Sequence, residues 1–394
     1  MAANPRNRVV IVGASAAGIT CAEALRRLGH AGEIRVVGAE PDIPHDRPPL
    51  SKQVLDGSWA PEKAALISGE RRDRLAATLQ LGTTATALDV ARRQVTLDDG
   101  GTLPFDEFVI ATGVRPRLLP GQPPAGVHVL RTLDDALALR ADILRRGRIA
   151  IVGAGFLGLE AAATARHLGA SVTVVEPVEH PLRTRLGRSA AARLLDLHRS
   201  RGVEFRLGVG VEATDVDPAG RVRGLRLSDG SAVPATVVLV AIGCVPNVEW
   251  LESSELEVAD GVVCDEFCQA APGIWAAGDV ARWKHVSLGR TLRIEHRLNA
   301  SEQGLAVAQN ITGPPAPFVP TPFFWTDHYE TKVQVAGVIT ADAEERVLDG
   351  DEPNSFLHTY YVDDRLVGAL GWNAPKALMP YRRQLRVGNA LARR

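Results

Sequence analysis

The chain has no apolar run approaching membrane-spanning length, and residues 1–7 are too short and too polar to be read as a secretory leader, so neither a membrane span nor an export signal is expected. It also lacks an excess of either charge. Lys and Arg total 45 against 46 Asp and Glu, a formal net charge of -1, which gives no general attraction for nucleic acid or anionic membranes. Cysteine is scarce: Cys21, Cys244, Cys264 and Cys268 are the whole set. Cys264 and Cys268 are four apart, which is not the CxxC spacing of a redox or zinc pair, and Cys21 lies in a helix-period stretch as a packing residue. The expectation is a cytoplasmic protein with structural thiols, no metal site, no nucleic-acid partner and no membrane partner. Its 394 residues suffice for two or three domains with proper cores.

What is present is organised around Arg8 to Glu40. Val9, Val10, Ile11 and Val12 form an apolar run, Gly13-Ala14-Ser15-Ala16-Ala17-Gly18 follows, a helix-period segment reaches Leu28, and a second strand, Ile34 to Val37, leads to Glu40. Strand, Gly-rich turn, helix, strand and terminal acid in that order make the βαβ dinucleotide fingerprint. Gly13 permits the tight turn, the small Ser15 lets the backbone approach a diphosphate at the helix N-terminus, where Ala16 and Ala17 lie, and Gly18 allows close packing on the sheet. Glu40 offers a carboxylate to a ribose hydroxyl. Ser15 stands where the full pattern has glycine, so a hydroxymethyl group occupies space that glycine would leave open.

The pattern then repeats. Arg148 to Val152 is a strand run, Gly153-Ala154-Gly155-Phe156-Leu157-Gly158 is the complete turn, a helix runs through Leu168, and Val172 to Val175 ends at Glu176. Loops starting at 13 and 153 signal a duplication on the scale of a domain. Two such sites mean two cofactors, or one cofactor and one dinucleotide substrate. Glu160, on the first turn of the second helix, is favoured by the helix dipole whatever else it does.

Three other stretches carry polar candidates. The proline-rich segment from Pro44 to Lys52 either holds Arg47 and Lys52 in fixed positions or is a solvated surface loop. An apolar strand ending in Gly278-Asp279 sets a carboxylate at the carboxyl edge of a sheet, where it can meet a ligand, cap the next helix or do both. Pro116, Pro120, Pro123 and Pro124 mark a linker. From about Phe318 onward, Lys332 to Val338, Phe356 to Val362 and Arg365 to Leu370 alternate apolar and polar residues, as antiparallel strands do.

Two Gly-rich βαβ units flanking Arg47-Pro48-Pro49-Leu50-Ser51-Lys52 resemble the FAD-dependent, NADH-linked ferredoxin reductases of bacterial Rieske oxygenase and cytochrome P450 systems, the putidaredoxin reductase-like family. Further motifs agree: Phe108 to Ala111-Thr112-Gly113, Leu130-Arg131-Thr132-Leu133, Val240 to Gly243 followed by Pro246-Asn247, Ile274 to Asp279, and Phe323-Phe324-Trp325-Thr326-Asp327-His328. The likeness runs from about residue 8 to at least Gly371. It implies an α/β fold of two Rossmann-like dinucleotide-binding domains, glutathione reductase-like, with a C-terminal α+β domain built on an antiparallel sheet. The implied domains are 1–113 with 244–315 for FAD, 114–243 for NAD and 316–394 at the C-terminus. No cysteine lies between Pro41 and Lys52, where a disulfide reductase of this fold would carry its pair.

The resemblance also implies roles. FAD would be held by Gly13, Ser15, Ala16, Ala17, Gly18, Glu40, Arg47, Lys52, Ala85, Ala111, Thr112, Gly113, Arg131, Gly278, Asp279, Glu295, His296, Arg297 and Trp325. NADH would be held by Gly153, Gly155, Phe156, Leu157, Gly158, Glu176, Arg183, Ile242 and Gly243, with Glu176 repelling the 2′-phosphate of NADPH and Arg183 and Arg185 opposing that preference. Lys52 and Glu160 would form a catalytic pair that gates nicotinamide entry. Hydride would pass from NADH to FAD, and single electrons would pass to a 2Fe-2S ferredoxin serving a P450 or Rieske oxygenase, from a monomer or homodimer.

Arg297 departs from the family, in which this position is often Trp; it either meets the flavin's polar edge or faces solvent. Trp325 flanks the flavin or is a core aromatic. Arg382, Arg383, Arg386, Arg393 and Arg394 steer an acidic ferredoxin or form a solvated basic face. Two other functions fit the same motifs: an NADH oxidase or reductase of rubredoxin or a small acceptor, and a non-enzymatic flavoprotein that senses NADH.

Overall fold

The computed structural model describes residues 7–349 and 354–391. Val9, Val10, Ile11 and Val12 are all buried, and a strand with no wet face belongs inside a covered parallel sheet. It lies between Ile34–Gly38 and Glu107–Ile110, parallel to both. The six strands run in the order Gln269–Ala271, Ile274–Ala276, Glu107–Ile110, Val9–Val12, Ile34–Gly38, Thr78–Leu81. On one face helix Ala16–Arg27 packs on helix Arg297–Thr312.

The second sheet repeats this design. Five parallel strands run in the order Val203–Leu207, Ser171–Glu176, Arg148–Val152, Val237–Val240, Val127–His128, with helix Phe156–His167 following the Gly-rich turn. The chain crosses out of the first sheet through Val114–Pro116 and returns through Cys244–Pro246, and these two segments pair antiparallel. Asn247 clamps the crossing: its Nδ2 donates to the Thr112 carbonyl at 2.9 Å, and Thr112 Oγ1 donates to the Asn247 carbonyl at 2.9 Å.

The third sheet is antiparallel, in the order Phe323–His328, Thr331–Gly337, Arg365–Trp372, Phe356–Val362, Glu344–Asp349, and helix Pro375–Leu391 packs on it. Alternation reveals three of these five strands. Phe323–His328 opens with three large, half-buried aromatics in a row, of which Phe324 and Trp325 line a cleft, so no apolar–polar alternation marks it. Glu344–Asp349 is a charged edge strand, a pattern that discourages pairing with other chains and hides the element from a hydrophobic reading. Of the basic tail, Arg382 lies over the Phe323 ring at 4.1 Å, while Arg393 and Arg394 fall outside the described residues.

The Pro44 to Lys52 stretch is more ordered than a loop. Pro48–Ser51 is a 3-10 turn, with proline where its missing N–H is harmless, and helix Gln53–Asp56 follows directly. Leu50, Val54 and Leu55 are buried in the same apolar cluster as Leu159, Ala162 and Ala165 of the second unit. Lys52 is therefore pinned between the two nucleotide-type units. Among the described residues all four cysteines are free, and burial pushes the Cys21 and Cys268 thiols up to about 12, leaving them inert.

Two glycines set how closely helix and turn approach. A Cβ at Gly18 would lie 1.9 Å from the Gly13 carbonyl oxygen, and one at Gly158 would lie 2.1 Å from that of Gly153. Gly155 meets nothing within 4 Å. Gly18→Ala and Gly158→Ala are each expected to cost about 2 kcal/mol or more, read as a lower midpoint in urea denaturation. Gly155→Ala should stay within about 0.5 kcal/mol of the parent in the same titration.

Candidate active site

Two clefts at the carboxyl edge of the first sheet share Ser15, Arg47, Ala111, Gly113 and Arg131 in their walls, and so form one groove. The outer part, about 580 Å³, is lined by Gly13, Glu40, Ala85 and Thr112 together with His45, Asn247 and Trp250. The inner part, about 270 Å³, is lined by Ala16, Ala17, Lys52, Phe156, Leu157, Glu160, Gly278, Asp279, Glu295, His296, Arg297 and Trp325. Residues far apart in sequence thus meet along one elongated site. Gly18 lies beneath it, against Gly13.

The remaining candidates lie outside that groove, on the second unit. Gly153 and Gly155 follow the strand Arg148–Val152, and Ile242 and Gly243 follow Val237–Val240. Glu176 is already oriented, since its Oε2 accepts from the Ala154 N–H at 2.8 Å and its Oε1 from the Val178 N–H at 3.0 Å. Arg183 is exposed on the short helix Arg183–Leu186.

The groove fits a dinucleotide. Ser15 precedes helix Ala16–Arg27 with no side-chain cap and no acid in the first turn, so the helix end presents unpaired N–H groups to the cleft. Gly155 leaves helix Phe156–His167 uncapped in the same way, with open space where a Cβ would stand. Arg47 Nε is buried without a partner, a donor in want of an acceptor.

Along the outer groove charges are paired in advance. Arg47 forms an ion pair with Glu40, donates to the Arg131 carbonyl at 2.7 Å and lies 2.8 Å from His45 Nε2. Burial pushes the Glu40 carboxyl up, but Arg47, His45 and Arg131 more than offset it and hold it below the usual range. Arg131 is fixed by the capping box that follows: the Asp135 carboxylate accepts from the Arg131 N–H at 2.9 Å and the Thr132 N–H at 2.8 Å. Its guanidinium lies 3.6 Å from Asp279, whose carboxyl is pushed up by burial and only partly relieved by Arg131.

At the inner end Lys52 Nζ lies 2.7 Å from Glu160 Oε2. Glu160 is buried, and three further donors reach it: Ser51 Oγ at 2.6 Å, Thr326 Oγ1 at 2.7 Å and the Asp327 N–H at 3.3 Å. Phe324 seals the pocket, its ring centroid 4.9 Å from those of both Phe156 and His296. Burial, helped by Arg185, pushes His296 down to about 4, so its ring is neutral near pH 7. Arg297 does not face solvent freely, since it is ion-paired with Asp46 and donates to Ser301 Oγ at 2.6 Å.

Sequence reasoning passed over Ser51, Thr326, Phe324, His45 and Asp46 as site residues. Each lies inside or beside a motif already noted, but short hydroxyl side chains give no periodic signal. Glu160 meets Ser51 and Thr326 across more than 100 positions of chain, a pairing that only the fold creates.

Residues 7–304 match the family model described as pyridine nucleotide-disulphide oxidoreductase, and residues 323–394 match the reductase C-terminal model. The chain belongs to the pyridine nucleotide-disulphide oxidoreductase family. As a member of that family it is 38% identical over 382 residues to the ferredoxin–NAD(+) reductase component of the p-cumate 2,3-dioxygenase system of Pseudomonas putida, covering 96% of this chain and 92% of that protein. It is 35% identical over 381 residues to rhodocoxin reductase of Rhodococcus erythropolis, covering 96% and 89%. Its fold matches the reductase in the covalent putidaredoxin reductase–putidaredoxin complex with a TM-score of 0.90 at 32% identity, covering 98% of this chain and 94% of that chain. Despite the family's name, the segment that holds Lys52 carries no cysteine pair.

The oxidoreductase also contains two fully buried imidazoles, His198 and His328, behind Thr326. Burial pushes both down to about 3, with His328 adding to the shift of His198 and Lys52 to that of His328. Because these folded values lie below the ordinary one, acid binds the unfolded chain more tightly. The stability they support is complete above about pH 6.5 and is lost as pH falls from there toward 3. Between pH 7 and 5 each ring should therefore contribute a loss of about 2 kcal/mol, which urea titrations at the two pH values would measure. His328→Gln should flatten that dependence.

Proposed function

We propose that the chain is an FAD-dependent NADH:ferredoxin oxidoreductase. The observation that carries the reading is the junction of the two dinucleotide units: the groove of the first ends on Lys52, Phe156, Leu157 and Glu160, residues from both. A flavin in that groove would place its reactive end where a nicotinamide on the second unit can reach it. When bound, FAD supplies the conversion of a two-electron hydride into single electrons. Overall, NADH and two oxidised 2Fe-2S ferredoxins give NAD(+), two reduced ferredoxins and one proton.

The chain's own part is binding, orientation and exclusion of water. Arg47, Arg131 and the helix N-terminus at Ala16 and Ala17 are suited to the pyrophosphate, Glu40 to the adenosine ribose and Asp279 to the ribitol. Lys52, released from Glu160 when nicotinamide enters, serves as the gate. Trp325 lies on the wall of the inner cleft, where electrons would leave toward a ferredoxin. The domains follow as 1–113 with 244–315 for FAD, 114–243 for NAD and the remainder for the third unit. Similarity to ferredoxin–NAD(+) reductase components over nearly the whole chain supports ferredoxin over oxygen or a small acceptor. Free thiols support a cytoplasmic setting, and no helix among the described residues is long and apolar enough to cross a membrane.

An anaerobic titration of the flavin-loaded protein with NADH and with NADPH, followed by a 2Fe-2S ferredoxin, tests the reading. NADH is expected to bleach the flavin much faster than NADPH, and the ferredoxin to be reduced next. Flavin reduction without ferredoxin reduction would sink the electron-transfer assignment. Glu176→Ala should narrow the preference for NADH by about tenfold, because it removes the charge that repels a 2′-phosphate.

A further inference from the structure

Glu160 is tied to more than Lys52. Its Oε1 accepts from Thr326 Oγ1 at 2.7 Å, and that hydroxyl lies 2.9 Å from His328 Nε2. His328 Nδ1 lies 3.3 Å from His198 Nε2, and His198 Nδ1 lies 3.2 Å from the Tyr329 hydroxyl. An unbroken polar line therefore leads from the inner cleft, between helix Arg188–Ser200 and strand Phe323–His328, to Tyr329 at the turn that ends that strand. Tyr329 is half-buried, with the Arg201 guanidinium 5.0 Å from its ring centroid.

One arrangement of protons satisfies all four of these contacts, with the Leu159 carbonyl as a further acceptor beside the His328 ring. Tyr329 donates to His198 Nδ1, His198 Nε2–H to His328 Nδ1, His328 Nε2–H to Thr326 Oγ1, and Thr326 to Glu160. Every donor points toward the carboxylate and both rings are neutral, in keeping with their burial. The charged groups facing the line are Lys52 and Glu160 at its inner end and Arg166, Arg201 and Glu330 around Tyr329. Two adjacent buried imidazoles carry a desolvation cost that apolar side chains of the same size would avoid, so a purely space-filling role accounts poorly for them.

We propose that Tyr329, His198, His328 and Thr326 form a proton relay that exchanges a proton between solvent and Glu160 whenever Lys52 withdraws. This rests on the reading of Lys52 and Glu160 as a gate. Withdrawal of Lys52 leaves a buried carboxylate without its cation, a state costly enough to favour proton uptake. A solvent proton binds the Tyr329 oxygen as Tyr329 passes its own to His198 Nδ1. His198 then passes its Nε2 proton to His328 Nδ1, His328 its Nε2 proton to Thr326, and Thr326 its proton to Glu160. One proton enters, one ends on Glu160, and no electron moves; the return of Lys52 drives the sequence backward. The four side chains serve the gate as positioning residues, and the cleft need not open to water.

Lys52→Met in the flavin-loaded protein makes the withdrawn state permanent and requires no NADH. The infrared difference at pH 7 between Lys52→Met and Lys52→Met/Glu160→Gln is expected to contain the carbonyl stretch of a protonated carboxylic acid. On transfer into D₂O that band should shift about tenfold faster in Lys52→Met than in Lys52→Met/His328→Gln or Lys52→Met/His198→Phe, because neither replacement can accept a proton at one end and release one at the other. The amide introduced by His328→Gln keeps a donor for Thr326, and circular dichroism checks the fold of each variant. Absence of the protonated band, or equal exchange rates in the three proteins, would overturn the relay. Since the readout uses no nicotinamide, a failure of NADH to reduce the flavin would count against the proposed function alone.

Discussion

A buried ion pair needs each remaining lone pair satisfied, or its desolvation outweighs its attraction, and the contact between Lys52 and Glu160 meets that condition only by drawing on all three sheets. Lys52 and Ser51 come from the turn after the first βαβ unit, Glu160 from the nucleotide helix of the second, and Thr326 from the antiparallel sheet. The Thr164 hydroxyl, one turn further along the Glu160 helix, donates to the Ser51 carbonyl at 2.8 Å and fixes the turn itself. Packing follows the same lines. Leu50 and Leu55 of the turn, Leu159 and Ala162 of the helix, and Val333, Val335 and Leu370 of the third sheet are members of one apolar cluster. The carboxylate therefore sets where the three units meet as well as what they do there.

The groove that ends on this pair is organised before any ligand enters it. Arg47 with Glu40, Arg131 with Asp279 and Arg297 with Asp46 are each cation and acid held side by side. Such pairing keeps long side chains in one place, so a ligand that shares their charge spends little on ordering them. It also leaves particular donors over, among them Arg47 Nε and the free N–H groups at Ala16 and Ala17, and these suit an anion more than a neutral ligand. Arg297 is instructive: its partner Asp46 belongs to the turn that carries Lys52, so an arginine in place of an aromatic links the two walls of the groove by charge.

Sequence exposed those parts of the fold that local chemistry dictates. Gly13 and Gly18 must be small because each backs onto a carbonyl oxygen, and the apolar runs at Val9 and Ile149 belong to covered parallel strands; such demands are written within a few residues. The pair of Lys52 and Glu160 was legible only through likeness to a family, since nothing in either neighbourhood points to the other. Ser51, Thr326, His328 and His198 were not legible at all. Their significance lies in contacts made across the joints between units, and a hydroxyl or an imidazole amid apolar residues looks the same whether it fills space or completes a network. The edge strand Glu344–Asp349 was hidden for the opposite reason, because its charges protect a sheet edge and mask its alternation.

The direction taken by the hydrogen-bonded line behind Glu160 follows from the character of the pocket. Phe156, Phe324, Trp325 and the neutral His296 crowd the inner cleft with rings, which lowers the local dielectric and strengthens each charge interaction within it. A flavin filling that cleft would leave little room for water to answer a change of charge, so the response falls to the protein. Along the groove that route is closed by guanidinium groups already paired with acids. Of the protein donors on the carboxylate, Ser51 leads only to the Pro48 carbonyl and Asp327 offers a backbone N–H, whereas Thr326 continues into the joint between the second and third units, where His328 and His198 carry the line to Tyr329. The same aromatic lining that favours transfer between closely held cofactors thus gives an internal path for protons its use.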